Sequence, residues 1–141
     1  MPDFVIEADG GSRGNPGEAA GGAIVIDTGS GVIVAELGVY VGHATNNVAE
    51  YHGMLAGLTF VTVNSPDASI HVRMDSKLVV EQMSGRWKIK HPDMQVLASQ
   101  ARSIIGQRNV TFEWIPREEN SRADALANKS MDIRASFESV S

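Results

Sequence analysis

The stretch that decides the fold is Phe4–Gly17, which reads FVIEADGGSRGNPG. From Phe4 to Asp9, the side chains at even positions are apolar and alternate with those at odd positions, which include Glu7 and Asp9. This period of two is typical of a β-strand, so we expect a strand that ends at Asp9. Gly10, Gly11 and Gly14 follow, and the lack of a Cβ lets such a backbone turn sharply and approach a ligand closely. A carboxylate beside an open backbone favours a metal or phosphate site.

The composition is that of one globular domain. The chain has 141 residues, of which 43% are hydrophobic, and this is enough to bury a core. The absence of Cys excludes a disulfide framework, a thiolate nucleophile and a cysteine-ligated zinc site. The sequence has no signal peptide or long apolar run, so we expect a soluble, cytoplasmic protein with no membrane partner.

Charge is distributed unevenly along the chain. The formal net charge of −5 argues against a protein that binds nucleic acid by overall attraction. Before residue 73 the only basic residue is Arg13, whereas from Arg73 to Lys90 the basic residues outnumber the acidic ones. The sequence therefore predicts one surface suited to cations and another suited to polyanions.

Hydrophobic periodicity predicts the element order β-β-β-α-β-α-α-β-α. Strands are expected within residues 4–9, 22–26, 32–41, 70–74 and 110–115, and helices within residues 47–63, 76–83, 92–105 and 121–127. This order is typical of an α/β domain in which a mixed sheet carries helices on its faces. Residues 132–141 lose the pattern and become Ser-rich, so we assign residues 1–131 to the domain and residues 132–141 to a tail or the start of a linker.

Four carboxylates stand at positions that converge in such a sheet: Asp9, Glu50, Asp75 and Asp124. Each also has a structural explanation. Asp9 could form a turn, Asp75 could cap a helix, and the other two have the spacing of a capping box. Two of the four nevertheless follow strands and two lie in the first turns of helices, which predicts that they meet at one edge of the sheet.

A cluster of this kind requires a cation, because two unit charges about 4 Å apart repel by about 4 kcal/mol at an effective dielectric near 20. Oxygen ligands without Cys favour Mg²⁺ or Mn²⁺ over zinc. Two such ions about 4 Å apart can hold the attacking and leaving oxygens of an in-line phosphoryl displacement.

Four segments of the chain resemble the signature blocks of the type 1 ribonuclease H family, in that family's order and spacing. They are DGGSRGNPG at Asp9–Gly17, TNNVAE at Thr45–Glu50, MDS at Met74–Ser76 and NSRADALA at Asn120–Ala127. The first two blocks together are highly specific. The resemblance covers about residues 3–130.

The resemblance implies a ribonuclease H-like fold with a five-stranded mixed sheet, in which three antiparallel strands precede two parallel ones. It implies an endonuclease that cuts the RNA strand of RNA/DNA hybrids and leaves 5′-phosphate and 3′-hydroxyl ends. Asp9, Glu50, Asp75 and Asp124 would be the catalytic, metal-binding carboxylates. Asp9 would bridge two Mg²⁺ ions, for which Mn²⁺ can substitute. We expect a monomer, and because relatives are sometimes fused to further domains, the tail is compatible with a C-terminal one.

The resemblance also implies substrate contacts, since a protein tells RNA from DNA chiefly through the 2′-hydroxyl. The expected contacts are Gly10, Gly11, Ser12, Asn15, Thr45, Asn46, Asn47, Ser76, Trp87, His91 and Arg117. For Asn46 and Asn47 the alternative is helix capping.

The sequence departs from the family pattern at three places. Many relatives carry a His in the loop before the last Asp, whereas here no His follows His91, and Arg117 occupies that loop as a phosphate ligand or a solvated charge. The extra basic helix of some relatives is reduced to a short segment around Trp87, which alternatively packs in the core. His91 and His43 stand where relatives carry Asn and Arg, respectively.

Two other functions remain open from the sequence. One is a catalytically silent module that binds hybrids or proteins on the same fold, which the intact set of four carboxylates disfavours. The other is a DNA-cutting or strand-transferring enzyme with a similar acidic site, which the asparagines and the glycine-rich segment disfavour.

Overall fold

The computed structural model describes all residues from Met1 to Ser141. Its elements are β1 (Phe4–Arg13), β2 (Gly17–Asp27), β3 (Ile33–Ala44), α1 (Asn46–Asn64), β4 (Ile70–Met74), α2 (Lys77–Met83), α3 (Pro92–Ile105), β5 (Val110–Trp114), a 3₁₀ turn (Arg117–Glu119), α4 (Ser121–Ile133) and β6 (Phe137–Val140). The predicted order of strands and helices is confirmed. None of the helices combines the length and apolar character that crossing a membrane requires.

One mixed sheet organises the molecule, with the strand order β5-β4-β1-β2-β3-β6. Strands β1, β2 and β3 pair antiparallel, and β4 pairs parallel with both β1 and β5. The predicted mixed α/β sheet is therefore confirmed.

The sheet has six strands, not five, because Phe137–Val140 pairs antiparallel with β3. This strand lies in the segment that the sequence analysis assigned to a tail, since four residues are too few to show a period. Gly38 makes room for it: a Cβ on Gly38 would lie 2.2 Å from Cε1 of Phe137.

The sequence analysis predicted that strand β1 ends at Asp9, but the strand continues to Arg13. Glycine is able to remain in the extended ladder, and here it is required by the close approach of α1. A Cβ on Gly10 would lie 2.3 Å from the carbonyl carbon of Ala49. The parallel pairing of β1 with β4 ends at Ala8 and Met74, so Asp9 is still the first residue beyond that ladder.

The core lies between the sheet and α1. Helix α1 places Tyr51, Met54 and Leu58 in the interior, each with no exposed surface. The hydroxyl of Tyr51 donates to Oε1 of Gln82 in α2 at 2.7 Å, which joins the two helices inside the core. This packing fixes the first turn of α1 against β1.

The residues that cap α1 and α2 are not the ones that the sequence analysis considered as capping alternatives. Thr45 caps α1 by accepting from the backbone NH of Val48, so neither Asn46 nor Asn47 is the capping residue. Ser76 caps α2, so Asp75 does not.

Candidate active site

A polar cavity of about 600 Å³ at the carboxyl edge of the parallel strands contains all four predicted carboxylates. Asp9 projects from β1 and Asp75 follows β4, while Glu50 and Asp124 lie in the first turns of α1 and α4. The other lining residues are Gly10, Gly11, Ser12, Arg13, Asn46, Asn47, Arg117, Ala127, Asn128 and Met131. Four distant parts of the chain thus contribute one acidic group each.

Burial and mutual repulsion favour the protonated form of two of these carboxyl groups. Asp9 is only 7% exposed. Burial raises its pKa to about 8, with further upward contributions from the charges of Asp75 and Asp124. The pKa of Glu50 is raised to about 7, again by burial first and then by Asp75, while a hydrogen bond with Ser76 opposes the shift. Near neutral pH this cavity is therefore prepared to take up positive charge, as protons or as a cation.

The donor atoms suit a hard divalent cation, because they are carboxylate oxygens. As the side chains stand, no three Asp, Glu or His residues are gathered closely enough to hold a metal ion. Like charges in one cavity repel one another until protons or a cation offset the repulsion. The carboxylates therefore match the metal in chemistry and in their common cavity, and binding would draw them closer together.

Two residues that the sequence analysis did not select support Asp75. Asn120, which is 1% exposed, donates from Nδ2 to Oδ1 of Asp75 at 2.7 Å and to the carbonyl of Ala8 at 2.8 Å. Trp114 donates from its indole nitrogen to the carbonyl of Asp75 at 3.2 Å. Asn120 opens the NSRADALA block, and that position was the available signal.

Comparison with known proteins identifies the family. A family profile described as reverse transcriptase-like matches residues 7–130. A ribonuclease HI of Halobacterium salinarum is 43% identical over 125 residues, which is 88% of this chain and 62% of that protein. The chain belongs to the type 1 ribonuclease H family.

Other relatives agree with this family assignment. The bifunctional protein Rv2228c of Mycobacterium tuberculosis is 54% identical over 133 residues, which is 93% of this chain and 36% of that protein. The chain therefore spans about a third of the length of the mycobacterial relatives that it matches. The solved N-terminal RNase H domain of Rv2228c is 51% identical, with a TM-score of 0.88 over 94% of this chain and 96% of that one. LC11-RNase H1, solved in complex with an RNA/DNA hybrid, is 38% identical, with a TM-score of 0.87 over 93% of this chain and 98% of that one.

Hydrogen bonds join three of the substrate contacts predicted from the sequence. The backbone NH of Ser12 donates to Oδ1 of Asn46 at 2.8 Å, and the backbone NH of Asn46 donates to Oδ1 of Asn15 at 3.1 Å. These bonds hold the end of β1, the loop after it and the start of α1 together. Gly10, Gly11, Ser12, Asn46, Asn47 and Arg117 all line the carboxylate cavity.

A smaller cavity of about 190 Å³ next to the first contains Asn15, Thr45 and His91, and it shares Asn47 with the first cavity. Another cavity brings His43 together with Thr45 and His91. The structure thus divides the predicted contacts between the acidic cavity and a neighbouring surface that carries no carboxylate of that site.

Two of the predicted substrate contacts, Ser76 and Trp87, line none of these three cavities. Ser76 caps α2 and, through its hydrogen bond with Glu50, lies at the margin of the acidic site. Trp87 is 45% exposed, so the alternative that placed it in the core is wrong. His71, outside these cavities, contacts Thr111 at 2.6 Å and Glu113 at 2.8 Å across β4 and β5.

Proposed function

We propose that this chain is a ribonuclease H that hydrolyses the RNA strand of RNA/DNA hybrids with divalent cations, leaving 5′-phosphate and 3′-hydroxyl ends. The observation that carries the proposal is the convergence of Asp9, Glu50, Asp75 and Asp124 in one cavity. Four carboxylates in one partly buried cavity are unfavourable without a cation. Relatives named ribonuclease HI and a relative solved with an RNA/DNA hybrid support the same function.

The four carboxylates would hold two Mg²⁺ ions, with Asp9 shared between them because it lies deepest of the four and next to both Asp75 and Asp124. When bound, divalent cations lower the pKa of a water for attack on the phosphate and neutralise charge on the departing 3′ oxygen. Mn²⁺ has the same preference for oxygen ligands and would substitute.

The linked residues Ser12, Asn15 and Asn46 would contact the minor groove of the hybrid, where 2′-hydroxyls distinguish the RNA strand. Thr45 and His91, in the neighbouring cavity, would hold a phosphate of the DNA strand. Contacts of this kind are independent of base sequence, so we expect cleavage without strict sequence preference.

Two residues would contribute positive charge or stacking around the site. Arg117 lines the acidic cavity and would contact the scissile phosphate or the product. A guanidinium can donate hydrogen bonds to a phosphate but cannot serve as a general base. The exposed Trp87 would contact the DNA strand beside the basic residues that flank it. Because these phosphate contacts are few, electrostatic attraction to the hybrid should contribute little and binding should be weak.

The experiment that tests the function is cleavage of a labelled RNA strand in a hybrid, with duplex DNA and duplex RNA of the same sequence as controls. We expect Mg²⁺-dependent cleavage of the hybrid RNA, and its loss in both Asp9→Asn and Glu50→Gln. Hybrid binding without cleavage would instead favour the silent module, and cleavage of duplex DNA would favour a DNA-cutting enzyme.

A further inference from the structure

A cluster of charges around one buried carboxylate, which we call the ion triad, lies directly beside the carboxylate cavity. It consists of Glu7, Arg73 and Arg122. Each member stands two residues before one of the cavity's aspartates: Glu7 on β1, Arg73 on β4 and Arg122 in α4. The three chain segments that supply aspartates to the cavity are therefore the same three that meet in the ion triad.

Glu7 is the centre of the ion triad. Its side chain is 3% exposed, and each carboxylate oxygen accepts from a different guanidinium. Arg73 donates to Oε2 at 3.2 Å and Arg122 donates to Oε1 at 3.1 Å. Arg73 also lies directly opposite Glu7 in the parallel pairing of β1 and β4.

The ion triad is tied to two further elements through Arg73. Its guanidinium lies 3.4 Å from Glu113 on β5 and 3.5 Å from Glu119 in the 3₁₀ turn. Glu119 precedes Asn120, the residue that bonds to Asp75. One guanidinium thus connects the strands on either side of it to the turn that leads into α4.

The stability of the fold alone does not explain why a buried carboxylate and two guanidiniums are placed here, whereas their position beside the acidic cavity does. A buried ion pair gains little over well-packed apolar side chains, because both charges lose their hydration. On a strand, residues i and i+2 point to the same face about 7 Å apart, so Glu7 is the immediate neighbour of Asp9 along β1. The two guanidiniums therefore bring positive charge close to the acidic cavity and hold together three segments whose next charged groups repel one another.

We propose that Glu7 is a positioning residue, which clamps β4 and α4 to β1 so that Asp9, Asp75 and Asp124 keep the spacing that shared divalent cations need. This inference rests on the proposed function, since it concerns the same acidic site. Glu7 does not line the cavity, so it acts through the aspartates and not by contact with the substrate.

The test is a calorimetric titration of the metal-free protein with Mn²⁺ alone, comparing wild type with Glu7→Gln. The amide keeps the shape of the side chain but removes the charge that pairs with Arg73 and Arg122. We expect Mn²⁺ affinity to fall about tenfold or more, as is usual when groups that orient metal ligands are lost. The Mn²⁺ concentration for half-maximal cleavage should rise by the same factor, whereas KM for the hybrid at saturating Mn²⁺ should stay within twofold.

Val61→Ala is the matched control, because Val61 is buried near the far end of α1 and its loss lowers stability without touching the acidic site. Its Mn²⁺ affinity should equal that of wild type. If Glu7→Gln does not fold, Arg122→Gln serves instead, because the Arg122 side chain is 53% exposed and its loss removes one of the two bonds to Glu7. We expect the Mn²⁺ affinity of this variant to fall as well, but by a smaller factor than in Glu7→Gln.

The outcomes separate this inference from the function on which it rests. If wild type neither binds Mn²⁺ nor cleaves the hybrid, the proposed function and the inference both fall. If wild type binds and cleaves, but the ion-triad variant that is measured matches Val61→Ala within twofold in Mn²⁺ affinity, only the role of Glu7 is overturned.

Discussion

Asn120 lies between two strands of the sheet and holds Asp75 in place, with its Nδ2 at 2.7 Å from Oδ1 of that carboxylate. The same nitrogen is 2.8 Å from the carbonyl of Ala8. A single buried amide therefore fixes the start of α4 to β1 and to the end of β4. The aspartates of three separate segments take their relative positions from contacts of this kind.

We expect Asn120→Asp to be more damaging than Asn120→Ala. Alanine removes hydrogen bonds at a cost of about 1–3 kcal/mol in the free energy of unfolding. The carboxylate adds a buried like charge next to Asp75, which should cost about 3 kcal/mol or more. Urea denaturation of the metal-free protein at pH 8 measures both values. Equal losses for the two substitutions would show that a carboxylate at position 120 is not repelled by Asp75.

Without metal, the protein should lose stability as pH rises from about 4 to about 8. The native pKa values of Asp9 and Glu50, about 8 and about 7, lie above the ordinary values of 3.8 and 4.5. In this interval the native state holds protons that the unfolded chain has released, so the free energy of unfolding falls with pH and levels off above about 8. Denaturation in the presence of a chelator at pH 5 to 9 measures the slope.

Asp9→Asn should flatten that pH dependence and stabilise the metal-free protein near pH 8. The amide preserves the shape of the side chain and removes the buried charge. A gain of about 1–3 kcal/mol is expected, the range in which single buried polar changes commonly act. Unchanged pH dependence in the variant would mean that Asp9 does not titrate in the native state as described.

Millimolar Mg²⁺ or Mn²⁺ should raise the melting temperature of wild type, and more so at pH 8 than at pH 6. A ligand that binds only the native state stabilises it by about 2.7 kcal/mol at 100 times its Kd, and at the lower pH protons compete with the cation for Asp9 and Glu50. Differential scanning calorimetry measures the shift. Asp9→Asn should abolish most of it, and an equal shift in that variant would place the ion elsewhere.

Gly10→Ala and Gly11→Ala form a matched pair on adjacent residues. An alanine Cβ at Gly10 would lie 2.3 Å from the carbonyl carbon of Ala49, whereas at Gly11 the nearest atom is Cε of Met131 at 3.7 Å. Gly10→Ala should force α1 away from β1 and cost about 3 kcal/mol or more, while Gly11→Ala should cost less than about 1 kcal/mol. Chemical denaturation compares them. Similar losses would contradict the tight packing of α1 against β1.

The sequence was sufficient to predict the order of the elements and the convergence of four carboxylates at one edge of the sheet. Alternation and helical spacing are local signals, and β4, α2 and α3 all begin and end close to the predicted residues. The family blocks then indicated which acidic residues belong together, and the structure places these in one cavity.

What the sequence did not predict depends on contacts between distant residues. Gly10 and Gly11 were interpreted as a loop because glycine usually interrupts strands, whereas both lie in β1, and the close approach of Ala49 shows that Gly10 makes room for a helix. Strand β6 is four residues long and is recognisable only by its pairing with β3. The bonds from Glu7 to Arg73 and Arg122 join residues 66 and 115 positions apart, which no local pattern contains.

The most direct measurement is anomalous diffraction from a crystal grown with Mn²⁺. We predict two anomalous peaks about 4 Å apart in the acidic cavity, with Asp9 between them and oxygens of Glu50, Asp75 and Asp124 as the remaining protein ligands. Mn²⁺ bound only elsewhere on the protein, or a cavity without anomalous density at saturating Mn²⁺, would contradict a metal-dependent nuclease.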